Sequence, residues 1–364
     1  MPEMVRAAVR MGPRKLELRE FPRPAIGPDE GLLRVERCGI CGSDVEQYKG
    51  HMGAERPPAI PGHETLGIIE EVGDRAAKRW DVQPGDRVAL EILRPCRTCD
   101  LCLMGRYMAC RNRQTAYSST PISVEPSLWG GYADYVYLHP NALVHKMRKD
   151  IPADIAVMFN PLGAGVRWAV QLPGTQIGES VLILGPGQRG LCGLIAAKAA
   201  GAGTVIVTGL SKDRHKLQLA REYGADYTIN VDQENTVERV REITGGAGVD
   251  VVLDVTPIAT QPVLDAVEAV RHGGRVVLAG LKGGRPVEMV TDRLINKGVT
   301  VMGAYSVDAR AYTDAIRLIE AGRFPLEKMH THTVGLPDAA RAIETLAGEV
   351  PGEEAIHVTI APEA

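Results

Sequence analysis

Residues 181–190, VLILGPGQRG, run an apolar strand into three glycines spaced Gly185-x-Gly187-x-x-Gly190 and then into a helical pattern. That spacing has a physical reading: the first glycine turns tightly, the second lets backbone approach a pyrophosphate, and the third permits close packing of helix on strand. Phosphates then meet a helix N-terminus. Alone the motif is weak, but here it opens a regular alternation. TVIVTG (204–209), DRHKLQLAREYGA (213–225), VDVVLDV (249–255), QPVLDAVEAVRHGG (261–274) and RVVLAG (275–280) alternate apolar strands with helices. Gly224 and Gly273 follow two of these helices, where a left-handed cap is wanted. Such βαβ repetition predicts an α/β fold, a doubly wound parallel sheet of Rossmann type that binds a dinucleotide.

About 20 residues past the third glycine, such a sheet usually offers a carboxylate to ribose hydroxyls. Ser211 stands there, followed by Lys212, Arg214 and Lys216. A hydroxyl and cations suit a 2′-phosphate, so NADP is the preferred cofactor. NAD stays possible, because Asp213, slightly shifted, would serve a ribose diol.

Upstream of about residue 150 the pattern differs. GLLRVERCG (31–39), TLGIIEEVG (65–73), QPGDRVALEI (83–92) and GGYADYVYL (130–138) are short strands broken by Gly and Pro, a β-rich unit. After 298 come a strand, VTVMGAY, a helix, YTDAIRLIEAG, and a closing strand, EAIHVTIAP, whose partners the pattern does not fix.

Two groups of residues in the β-rich part suit metal chemistry. PCRTCDLCLMGRYMAC (95–110) spaces Cys96, Cys99, Cys102 and Cys110 as C-x2-C-x2-C-x7-C. Four thiolates close a tetrahedral shell and leave no position for substrate, which predicts a structural Zn2+. Arg94, Arg97, Arg106, Arg111 and Arg113 surround it and are expected to offset its negative charge. The second group is Cys41, in CGICGSD, with His63 and Glu64, in PGHE. A thiolate, an imidazole and a carboxylate from separate elements make an open site that water or substrate completes, and the two anions neutralise the ion.

The chain's 364 residues, 45% of them apolar, suffice for two domains with proper cores. A net charge of -3, from 45 acidic and 42 basic side chains mixed along the sequence, argues against nucleic-acid and membrane partners. The sequence shows no signal-peptide pattern and no apolar run of membrane length. Seven cysteines, mostly in metal-type or turn surroundings, fit a reducing, cytoplasmic setting. Cys38 and Cys192 read as inert core thiols.

With Cys41, the GHE pair, the cysteine lobe and the glycine motif in this order, the sequence resembles the zinc-containing medium-chain alcohol dehydrogenase/reductase family, nearest its sorbitol and threonine dehydrogenase-like branch. The resemblance spans nearly the whole chain. It implies a GroES-like catalytic domain of 1–152 completed by 299–364, a Rossmann domain at 153–298, and substrate in the cleft between. It implies hydride transfer between a secondary alcohol or polyol, or its ketone, and NAD(P), in a homodimer or homotetramer. Residue by residue, Cys41 and His63 match catalytic zinc ligands, Glu64 a neighbouring carboxylate, Ser43 the hydroxyl that takes the substrate's proton, and Asp44 a carboxylate orienting His63. Two positions depart from the pattern. Asn160 stands where relatives place a third ligand, Cys or Glu, which makes it a zinc neighbour and shifts the burden to Glu64. Glu46 stands where many relatives carry a proton-relaying His, and is expected to relay as a carboxylate. Two alternatives remain: a zinc-free quinone or enoyl reductase of the same superfamily, and a non-catalytic zinc- and dinucleotide-binding protein.

Overall fold

The structure is a computed structural model that describes residues 3–52, 56–112 and 116–363. The chain divides into two units. One comprises Met1–Phe159, Ile316–Ala321 and His330–Ala364, the other Asn160–Ala315 and Gly322–Met329.

In the first unit, β1 (Met4–Gly12) and β2 (Lys15–Pro22) form an antiparallel ribbon. Then β3 (Gly31–Gly39), β4 (Glu64–Val72), β5 (Arg87–Leu90), β6 (Tyr135–Leu138) and β7 (Val144–Lys146) build an antiparallel sheet in which β3 lies between β4 and β6. Leu32, Leu33, Val35 and Cys38 of β3 are all buried, while its Arg34, Glu36 and Arg37 stay half-exposed. Its register with β4 sets Gly39 opposite Glu64 and Cys38 opposite Thr65. The end of one strand and the start of the next therefore lie side by side, and Cys41 and His63 flank them.

The aromatic part of this core is ordered by ring geometry. Trp129 meets Tyr137 edge to face at 5.0 Å, and the Arg94 guanidinium lies 4.3 Å from the Trp129 ring centre. His139 packs on the same indole at 6.1 Å. Burial and the nearby Arg94 charge push its imidazole down to about 4.

The second unit holds β8 (Ser180–Leu184), β9 (Thr204–Gly209), β10 (Tyr227–Asn230), β11 (Val249–Asp254), β12 (Val270–Leu278) and β13 (Thr300–Gly303). All pair in parallel, in the order β10-β9-β8-β11-β12-β13. That is the doubly wound order, with its switch point between β8 and β11, outside whose carboxyl ends ligands bind in such sheets. Val181, Leu182, Ile183, Val205, Ile206 and Val207 are fully buried, as strands covered on both faces require.

The chain then returns to the first unit with β14 (His330–Val334), parallel to β15 (His357–Ile360), which pairs antiparallel with β3. This gives the closing strand EAIHVTIAP its partners. The sequence-based division closes the dinucleotide unit at 298. β13 lies beyond that point, yet its residues 300–303 pair with Arg275–Leu278 of β12. The helix expected over 261–274 stops at Ala269, because Val270 turns extended and pairs with Val249 of β11. Gly224 takes a positive φ of 95° just after the helix Arg214–Glu222. Gly273, at φ 67°, does so within the extended segment rather than at a helix end.

Folded, His139 resists protonation down to about 4, whereas an unfolded imidazole titrates near 6.5. Protons therefore bind the unfolded chain first, and stability falls as pH drops from about 6.5 toward about 4. In urea titrations across that window, His139→Gln is expected to show a shallower loss of stability than the wild type.

Candidate functional site

The four-cysteine lobe is built on a short helix, Asp100–Leu103, and a 3-10 turn, Tyr107–Ala109. They fold the chain back so that the Sγ atoms of Cys96, Cys99, Cys102 and Cys110 all lie within 4.8 Å of one another. Cys96 and Cys102 Sγ are 3.9 Å apart, as are Cys99 and Cys110 Sγ. A Zn–S bond of about 2.3 Å in tetrahedral geometry places sulfurs about 3.8 Å apart, so the shell fits zinc. Backbone N–H groups support the sulfurs: Cys99 N–H donates to Cys96 Sγ at 3.3 Å and Cys96 N–H to Cys110 Sγ at 3.4 Å. Bonds from Thr98 and from the Cys99 backbone pull the Cys96 thiol down to about 5, whereas burial and neighbouring thiols push Cys102 up to about 12. Deprotonated together, four sulfurs this close would need a cation.

Three of the arginines expected to offset that charge have other partners. Arg94 stacks on Trp129, Arg97 donates to the Ala142 carbonyl at 2.8 Å, and Arg111 pairs with Asp100 at 2.9 Å. Arg113 lies outside the described residues. Peptide N–H groups do part of that work, since they reach the sulfurs at no cost in side-chain entropy.

The second cluster arises from the β3/β4 register. Cys41 precedes the helix Gly42–Tyr48, while His63 and Glu64 lead into β4, and their ligand atoms lie within 4.8 Å of one another. All three are buried, Glu64 completely. A Cβ on Gly39 would stand 2.3 Å from Glu64 Oε2, so only glycine leaves room for the carboxylate there. Asp44 Oδ2 accepts the Cys41 N–H at 2.9 Å, and Asp44 Oδ1 lies 3.4 Å from His63 Nδ1. The imidazole thus presents Nε2 to the cluster, 3.5 Å from Ser43 Oγ. Burial alone would lower the His63 pKa, but Asp44 and Cys41 outweigh it and hold the value well above the ordinary range. A soft thiolate, an imidazole oriented through its far nitrogen and a buried carboxylate fit a zinc ion with an open position.

Asn160 and Glu46 have other partners within reach. Asn160 is buried at the start of the helix Phe159–Gly165. Its Oδ1 accepts from Arg189 Nη2 at 2.8 Å, its carbonyl accepts from Arg189 Nη1 at 3.0 Å, and its Nδ2 donates to the Tyr312 hydroxyl at 3.0 Å. Sequence reasoning missed both Arg189 and Tyr312. Arg189 is one of the unspecified positions of the glycine motif, and only the fold brings Tyr312 near. Glu46 Oε2 lies 2.7 Å from Nδ1 of His51, whose side chain is 52% exposed. Cys38 and Cys192 are fully buried, and burial raises the Cys38 thiol, as inert thiols require.

In the parallel-sheet unit the three glycines have three different environments. Gly185 takes φ 104°, a Cβ on Gly187 would meet nothing within 4 Å, and a Cβ on Gly190 would stand 1.9 Å from the Gly185 carbonyl oxygen. These are the turn, the open approach for phosphate and the tight packing that the spacing predicts. The helix Gln188–Ala199 begins directly behind them. Ser211 and Lys212 follow β9 in a 3-10 turn, with Arg214 opening the next helix, and all three are exposed. Asp213 turns inward instead, accepting the Leu210 N–H at 3.3 Å and pairing with Lys216 at 3.0 Å.

A doubly wound sheet of dinucleotide type, in one chain with a strand-rich unit bearing two zinc-type donor clusters, defines a zinc-dehydrogenase class of protein. Comparison with known proteins agrees. Residues 27–149 match the alcohol dehydrogenase GroES-like domain and residues 190–321 the zinc-binding dehydrogenase model. The sequence is 44% identical over 365 residues to a protein of Mycobacterium tuberculosis named a probable alcohol dehydrogenase, covering 99% of each chain. It is 33% identical to the erythritol/L-threitol dehydrogenase of Mycolicibacterium smegmatis, covering 100% of this chain and 99% of that one. A zinc-binding dehydrogenase from Sinorhizobium meliloti, solved bound to NADP, superposes with a TM-score of 0.86 at 27% identity, over 99% of this chain and 100% of the other. The chain belongs to the zinc-containing medium-chain alcohol dehydrogenase family. Among the described residues no helix is long and apolar enough to cross a membrane.

Two substitutions separate the clusters by metal content. Cys99→Ser, which breaks the four-thiolate shell, is expected to cost about one zinc per chain, measured by elemental analysis after gel filtration. Gly39→Ala, which pushes on Glu64, is expected to leave that zinc in place and to lower whatever further zinc the chain binds.

Proposed function

We propose that the chain oxidises a small secondary alcohol or polyol to its ketone, and reduces the ketone, with one catalytic zinc at Cys41, His63 and Glu64 and one structural zinc at Cys96, Cys99, Cys102 and Cys110. The chain is a zinc-dependent oxidoreductase of alcohols or polyols that uses NAD(P). The observation that carries the catalytic assignment is the buried Cys41–His63–Glu64 cluster with a hydroxyl, Ser43, at 3.5 Å from its imidazole. The four-cysteine shell is closed, so it shapes a lobe and takes no part in the reaction.

The bound metal supplies Lewis acidity that lowers the pKa of an alcohol oxygen, as it lowers that of water from 15.7 to about 7, and the dinucleotide supplies the hydride acceptor. The protein's residues do the rest. Asp44 fixes the Cys41 loop through its N–H and holds the His63 ring with Nε2 inward. Ser43 Oγ accepts the substrate's hydroxyl proton as it gives up its own. Glu46 and His51, paired at 2.7 Å, pass that proton outward, with His51 at the exposed end. Cys41, His63 and Glu64, whose ligand atoms lie together, are the protein donors to the metal, while the Asn160 oxygen accepts from Arg189.

The strand-rich unit carries this chemistry. The parallel-sheet unit holds the dinucleotide on Gly185, Gly187 and Gly190, with Ser211, Lys212 and Arg214 toward an adenosine 2′-phosphate, so NADP is accepted alongside NAD. The edge strand β13, with Val301 and the nearby Ile295 exposed, is the face on which a second copy docks.

Cys41→Ser is expected to abolish alcohol-dependent reduction of the dinucleotide while leaving far-UV circular dichroism and NADPH fluorescence titrations unchanged; retained turnover would defeat the assignment. Ser43→Ala is expected to lower kcat by about 10²–10⁴-fold with little change in dinucleotide affinity.

A further inference from the structure

We propose that Asp232 discriminates between the two dinucleotides: its carboxylate occupies, on Ser211, the place that a 2′-phosphate would take, and so weakens NADP binding relative to NAD. The inference rests on the dinucleotide reading of the parallel-sheet unit.

Ser211 lies directly beyond β9, at the carboxyl edge where ribose is read in such sheets. Its backbone N–H donates to Asp232 Oδ2 at 2.7 Å. Its hydroxyl bonds the Asn230 side-chain amide, with Ser211 Oγ 3.2 Å from Asn230 Oδ1 and 3.0 Å from Nδ2. Asn230 ends the neighbouring strand β10, and Asp232 donates its own N–H to Asn230 Oδ1 at 3.2 Å. Three residues from two strand ends thus form a closed circuit, and an anion of the protein holds the N–H that a phosphate oxygen would need.

The charges nearby make Asp232 the decisive one. The bonds from Ser211, with the Lys212 cation, hold its carboxyl below the usual carboxylate range, so it is ionised at neutral pH. The same proximity ties up part of the Lys212 charge that would attract phosphate. Of the other carboxylates on this edge, Asp213 is buried in its own turn and pairs with Lys216, while Glu234 accepts the Asn230 N–H at 3.4 Å and faces Arg239 at 3.6 Å. A 2′-phosphate carries about -1.5 to -2 charge and would meet Asp232 as a like charge on a shared donor. The neutral ribose hydroxyl of NAD meets no such repulsion.

Asp232→Asn separates charge from shape, because the amide oxygen still accepts the Ser211 N–H. NADPH and NADH are titrated by fluorescence into the zinc-loaded wild type, Asp232→Asn and Asp232→Ser, with thermal melts to show that each variant is folded. The expected result is NADPH binding about tenfold tighter in both variants, a change of about 1.4 kcal/mol, with NADH unchanged within about twofold. An unchanged NADPH-to-NADH ratio overturns the inference. Weaker NADH binding with NADPH unchanged also overturns it, since Asp232 would then hold the ribose diol. A wild type that binds neither dinucleotide instead removes the reading on which the inference rests.

Discussion

Glu64 is a carboxylate with no solvent exposure, set at the first residue of β4 opposite Gly39. Burying an ionised carboxylate costs several kcal/mol unless the surroundings answer its charge, and here the pairing of β3 with β4 decides what those surroundings are. It brings the Cys41 thiol and the His63 imidazole to the same place. A one-residue slip of that register would turn Glu64 to the other face of the sheet and separate the three. The antiparallel sheet, the glycine at 39 and the short helix after Cys41 all serve this placement. A divalent cation among these groups would balance a thiolate and a carboxylate, and Asp44 lies 3.4 Å behind the ring.

The two cysteine-bearing clusters solve the problem of negative charge differently. In the lobe, four thiolates leave an excess that peptide N–H groups soften, at 3.3 and 3.4 Å from sulfur. At Cys41 one thiolate and one carboxylate would be neutralised by a divalent ion itself. The lobe is also tied to the rest of its unit, since the Tyr107 hydroxyl donates at 2.7 Å to the buried Glu91 carboxylate, which also meets His145 Nε2 at 2.7 Å. The two clusters thus differ in kind, four thiols in one and a thiol, an imidazole and a carboxylate in the other.

Much of this was legible in the sequence because the information is local. Glycine spacing, cysteine spacing and the change from broken strands to βαβ alternation each reside in a short window. The geometry of Gly185, Gly187 and Gly190 matches the three roles that the spacing gives them. What was not legible depends on partners distant in the chain. Nothing in FNPLGAG shows that Arg189 takes the Asn160 oxygen, because the two meet only when the helix after β8 packs beside residue 160. The helix over 261–274 ended early because Val270 finds a strand partner in Val249, a tertiary gain that outweighs local propensity. Asp232 escaped notice for the same reason: it reaches Ser211 across two strand ends, 21 residues apart in the chain.

The most direct test of a two-zinc dehydrogenase is anomalous diffraction at the zinc edge from crystals of a preparation whose alcohol-dependent turnover has been measured. The expected map has two zinc peaks per chain, one enclosed by Cys96, Cys99, Cys102 and Cys110 and one between Cys41 Sγ, His63 Nε2 and the Glu64 carboxylate. A single peak in the cysteine lobe, from protein that turns over alcohol at full rate, would contradict the assignment of catalysis to Cys41, His63 and Glu64.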